Sequence, residues 1–148
     1  MTEPITVDLN IQNGAIIIRS VNNFDPIDTP FFPDPPSLVK GSEGLAVIHA
    51  GGKGRVRVTL LLDTPETGSD NSNWEESEET IFSVVDQDLF LDGSDGELSA
   101  PFRLSRTGRY AIRVSATGRR RYFDSYTNAD EEPRIHLELR IWPVANAL

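Results

Sequence analysis

The chain has 148 residues, 23 Asp and Glu against 14 Lys and Arg, and a formal net charge of −9. That length suits one domain, and the acidic balance disfavours direct binding of nucleic acid, which demands local positive charge. Cysteine is absent and only two histidines occur, His49 and His136, so disulfides, thiolate catalysis, Cys-based zinc sites and His-rich metal sites are excluded. No cofactor is expected.

Taken in chain order, the predicted elements are short strands. "ITVDLNI", "GAIIIRSV", "GLAVIHA", "RVRVTLLL", "ETIFSVVD" and "DLFLDG" are followed by "LSAPFRL", with Leu98, Ala100, Phe102 and Leu104 expected inward. "RYAIRVSA" places Tyr110, Ile112, Val114 and Ala116 on one face, and "RIHLELRIWP" does so with Ile135, Leu137, Leu139 and Ile141, leaving Trp142 on the polar side. About nine strands result. Turn signals separate them: "NG" at 13–14, "GGKG" at 51–54, "DG" at 92–93 and 95–96, "TG" at 107–108 and 117–118. No window has the period of an amphipathic helix of three turns. The expected fold is therefore all-β, an antiparallel β-sandwich or partly open barrel of eight to nine strands, forming a single domain over residues 1–148. Two loops interrupt it: a Pro-rich segment at 23–38, which proline bars from a central strand, and an acidic segment at 63–79.

Charge is segregated along the chain. Residues 1–57 hold six acids and five bases, residues 58–102 twelve acids and no base, and residues 103–148 five acids and nine bases. The acidic block surrounds Trp74 with Glu75, Glu76, Glu78 and Glu79 and continues through Asp86, Asp88, Asp92, Asp95 and Glu97. Carboxylates two apart on a strand lie about 6.6 Å apart and neighbouring strands about 4.8 Å apart, so an array with the spacing of phosphates could fill the basic cleft of a nuclease. The plain alternative is a solubilising, edge-blunting acidic surface. Trp74 either caps the core or anchors an interface.

Other motifs are weaker. "DGSDGE" at 92–97 lacks the spacing of a calcium loop and reads as a hairpin turn. Arg119, Arg120 and Arg121, beside Tyr122 and Phe123, form a possible secondary contact, a solvated tip, or an internal partner for the acidic loops. Neither His49 nor His136, with Glu138 on the same strand face, belongs to a catalytic motif, and no enzymatic activity is expected.

The order "ETIFSVVDQDLFL", "LSAPFRLSRTGRYAIRVSA", a polar insertion and "IHLELRIWP" resembles the competence protein J family, the DNA-entry nuclease inhibitors, and similar small bacterial β-sandwich proteins of the immunity type. The resemblance covers roughly 79–143 and rests on the strand pattern, on Gly108 and Tyr110 after a turn, and on the closing "IWP". It implies inhibition of a nuclease by direct binding and transfers no functional residue.

The reading that joins these observations is a cytoplasmic, non-enzymatic inhibitor or immunity-type protein, a monomer or homodimer. It would present Trp74, Glu75, Glu76, Glu78, Glu79, Asp86 and Asp88 to a basic nuclease or toxin, without nucleic-acid or membrane partners. Two alternatives stand beside it. One is a carbohydrate-binding module stacking on Trp74, Trp142, Tyr122, Phe123 and Tyr126. The other is an assembly subunit whose Arg-rich tip meets the acidic edge of the next copy.

Overall fold

A computed structural model describes residues 3–22, 37–63, 74–94 and 96–145; most of the Pro-rich segment, and residues 64–73 of the acidic one, lie outside the described residues. Eleven strands and no helix occur among them: β1 (Ile5–Ile11), β2 (Ala15–Ser20), β3 (Val39–Ser42), β4 (Leu45–His49), β5 (Lys53–Leu62), β6 (Glu76–Val84), β7 (Asp88–Asp92), β8 (Phe102–Arg103), β9 (Gly108–Thr117), β10 (Tyr126–Thr127) and β11 (His136–Pro143). The expected count of eight to nine is too low. β3 reads "VKGS" and β10 "YT", pieces too short and too polar to show a period of two, and they become strands through their neighbours.

The strands form two mostly antiparallel sheets, and no barrel closes. The first has the order β1-β5-β11-β9-β6 with β10 attached to β5; the second runs β3-β4-β2-β7-β8. Inside the first sheet β11 pairs with β5 in parallel, Leu137 opposite Val58 and Leu139 opposite Leu60. β10 also joins β5 in parallel, so the sheet is not wholly antiparallel. The "NG" turn does not close a hairpin. Gly14, at φ 73°, carries the chain from β1 in one sheet to β2 in the other, an arch that the local turn signal does not distinguish from a hairpin.

Alternation places the core where period two demands. In β5 the residues Val56, Val58, Leu60 and Leu62 are buried, in β9 Tyr110, Ile112, Val114 and Ala116, and in β11 Leu137, Leu139 and Ile141. These meet Ile16, Ile18, Ile48, Leu89, Leu91 and Phe102 of the second sheet in one apolar cluster. β2 departs from alternation: all six residues are buried, and on its other face Ala15 and Ile17 join Val47 of β4 in a second small cluster. A continuous apolar run such as "AIII" is what burial on both faces requires. Leu98 and Ala100 are exposed rather than inward, because pairing in this segment is confined to β8 and a single Asp92–Leu98 bridge.

Tyr110, fully buried, ties the turn ahead of β9 to the core. Its hydroxyl donates to the Arg106 carbonyl (2.9 Å) and accepts from the Arg106 N–H (3.2 Å), the arrangement of a tyrosine corner.

Candidate partner-binding surface

β6 sets the geometry of the acidic block. Phe82 and Val84 are buried, so Glu76 and Glu78 project on their side of the sheet and Ser77 and Glu79 on the opposite side. Like charge is thereby divided between two faces, and each carboxylate meets donors. Glu76 Oε2 lies 2.7 Å from Arg119 Nη1 and 3.5 Å from Arg120 Nε. Glu78 Oε2 accepts the Val39 N–H at 3.0 Å. Across the outer face Glu79 pairs with Arg113 at 3.2 Å, and Glu75, just ahead of the strand, accepts the Gly118 N–H at 2.6 Å. Repulsion within "WEESEE" is offset by these partners.

Of the alternatives for the arginine cluster, Arg119 takes the internal one, as a partner of the acidic block. It is 5 % exposed. Besides Glu76, its Nε donates to the His49 carbonyl at 2.8 Å and its Nη2 to the Ser37 carbonyl at 3.4 Å, so one guanidinium joins β6 to the segment ahead of β3 and to the end of β4. Room comes from Gly51, where a Cβ would stand 2.9 Å from Arg119 Cγ. Arg120 and Arg121 remain exposed. Nothing local distinguishes the first of three arginines from the others. The nearest signal is the preceding Gly118, whose φ of 82° turns the chain inward. Beside the guanidinium, burial and then the Arg119 charge hold the His49 imidazole below its ordinary pKa of 6.5.

Between these groups opens a cleft of about 370 Å³ lined by Leu38, Glu75, Glu76, Glu78, Arg119 and Arg120. Oε1 of Glu76 is buried and meets no donor among the described residues. Trp74 is half-buried at the entrance to β6; the next residue, Glu75, donates its N–H to the Ala116 carbonyl at 3.0 Å.

Asp86 and Asp88 stand elsewhere. They follow the far end of β6, which at about 3.3 Å per residue lies about 26 Å from Glu76. Asp86 accepts from Asp88 N (3.2 Å), from Ser20 Oγ (3.1 Å) and from the Asn22 amide. The Asp88 N–H, with those two side chains, holds the Asp86 carboxyl below its ordinary value. Asp88 pairs with Arg103 at 3.0 Å. Both aspartates build the β6–β7 turn.

No described aromatic residue lines the cleft beside Glu76. Trp142 sits opposite Ala111, toward the other end of the first sheet from Trp74. Tyr122 lies under Arg121 and Arg134, and Phe123 stacks at a tilt on His49 with centroids 5.7 Å apart. A second cleft, about 490 Å³, is lined by Asp8, Asn10, Arg55, Glu97 and Ala129, again without aromatics. In the "DGSDGE" turn Asp92 pairs with Arg19 and Glu97 accepts the Asn10 N–H. Among the described residues no group of three or more His, Cys, Asp or Glu is placed to hold a metal ion, and no helix is long and apolar enough to cross a membrane.

This architecture has precedents among solved structures. ComJ from Bacillus subtilis, the inhibitor of the DNA degrading activity of NucA, superposes with a TM-score of 0.69 over 97 % of this chain and 96 % of its own, at 13 % identity. The protein of crocagin biosynthetic gene J superposes with a TM-score of 0.56 over 98 % of this chain and all of its own, at 14 % identity. The chain has the fold of ComJ. No family model matches the sequence, and no curated protein matches it.

Proposed function

We propose that the protein is a non-enzymatic inhibitor that binds a basic protein, a nuclease, through the start of β6. The reading draws on the end-to-end likeness to an inhibitor of DNA degradation and on a stretch of 45 residues, 58–102, that contains twelve acids and no base. The observation that carries it is that the exposed Glu75 and Glu79 are already held by Gly118 and Arg113. Carboxylates fixed in this way lose little freedom when a cationic surface arrives. Trp74 beside them has the form of an interface anchor within a charged rim. The field of the block steers encounter, so association is fast at low ionic strength and slows as salt screens it.

The test is capture at low salt from the source cells, with a plasmid-degradation assay on whatever co-elutes. A basic nuclease that loses activity when the protein is added back is expected. The double variant Glu75→Gln, Glu79→Gln should bind it at least about tenfold more weakly, with a shallower salt dependence. Unchanged affinity in a folded double variant discards the acidic surface.

A further inference from the structure

Sheet edges expose unpaired backbone groups, and folds protect them. Here the edge of β6 is approached by β3: Gly44 donates its N–H to the Ser83 carbonyl at 3.0 Å, and a Cβ on Gly41 would lie 2.1 Å from the Ile81 carbonyl oxygen. β8 is only two residues long. β1 is different. The Asn10 carbonyl accepts the Glu97 N–H at 2.8 Å and the Asn10 N–H donates to Glu97 Oε1 at 2.7 Å, so the backbone of Asn10 faces away from β5. The opposing strand agrees: Arg57, opposite Asp8, sends its N–H to Ile135 on the other side. By the alternation of antiparallel ladders, the N–H and C=O groups of Thr6 and Asp8 also point outward. Neither has a backbone partner among the described residues. This edge carries no Lys and no Pro between Ile5 and Leu9.

We infer that β1 pairs with β1 of a second copy, antiparallel about a two-fold axis through Val7. In that register Thr6 meets Asp8 of the other copy twice, forming four backbone hydrogen bonds, and the pairing stops where it must. Asn10 is already occupied by Glu97, and Pro4 has no N–H. On the core side Ile5, which is 38 % exposed, meets Leu9, and Val7 meets Val7, which prolongs the apolar layer across the axis. On the outer side Asp8 faces Thr6, and its charge is already matched by Arg55 at 2.6 Å and Arg57 at 2.8 Å. A slip by two residues would set Asp8 against Asp8, with half the hydrogen bonds, or Thr6 against Thr6, with Asp8 facing Pro4, which offers no N–H. Self-complementarity of this kind is what an isologous interface requires, and it singles out a second copy over a foreign strand.

Sedimentation equilibrium of the full chain, from about 1 μM to about 0.5 mM, tests the pairing. A species of twice the 16.4 kDa chain mass is expected, with the Thr6 and Asp8 amides becoming protected from hydrogen exchange as concentration rises. Thr6→Pro removes an outward N–H while leaving the ladder to β5, and edge positions tolerate proline; it should weaken the dimer at least about tenfold with the cooperative melt retained. The exchange measurement needs no variant and stands if Thr6→Pro fails to fold. A wild-type chain monomeric throughout the range overturns the proposal, as does a dimer in which both amides exchange freely.

Discussion

Arg119 and Glu76 face each other at 2.7 Å with side chains only 6 % and 13 % exposed, and the same guanidinium caps the His49 carbonyl. Removing one member of a buried pair leaves a charge without its partner. Arg119→Ala should therefore destabilise the fold by about 3–5 kcal/mol in denaturant titration. Replacing both residues with apolar ones of similar size, Arg119→Met with Glu76→Leu, should cost far less. Equal losses in the two cases would show that packing rather than charge dominates there.

The Tyr110 hydroxyl makes its two bonds to Arg106 inside the fold. Tyr110→Phe retains the ring and strands those backbone groups, at a cost of about 1–3 kcal/mol. The denaturation midpoint should drop with an unchanged slope.

Gly118 combines a φ of 82° with a Cβ position 2.1 Å from the Arg134 carbonyl oxygen. Gly118→Ala should cost at least about 2 kcal/mol, since left-handed strain alone is about 1–2 kcal/mol. Because this residue precedes Arg119 and donates to Glu75, the substitution should also weaken partner binding in protein that remains folded.

Stability should fall in two acid windows. His49 has a depressed pKa in the fold through burial and Arg119, so below 6.5 the unfolded chain takes up more protons and stability declines as pH drops. Asp8 is held below 3.8 by its hydrogen bond to Arg57, joined by Arg55. Its contribution is complete above that value and is lost as pH falls through the folded-state pKa. Urea midpoints against pH check both windows: His49→Gln should flatten the first and Asp8→Asn the second.

The inward residues of β5, β9 and β11 were legible because alternation is written into neighbouring positions: a side chain two residues on returns to the same face whatever the strand pairs with. The all-β class followed from the same period and from the glycine-bearing turns. The acidic block was legible as composition but not as a surface. Its division between the faces of β6, and the removal of Asp86 and Asp88 to the far turn, follow from where the strand begins and ends.

Sequence alone therefore determined which residues of β5, β9 and β11 face the core, and the segregation of charge along the chain. Tertiary structure decided that β1 and β2 belong to different sheets, that β5 and β11 run parallel, that "VKGS" is a strand, and that one arginine of three is buried against Glu76. Those outcomes depend on partners distant in the chain, and a local period carries no information about which distant backbone supplies the hydrogen bonds or the opposite charge.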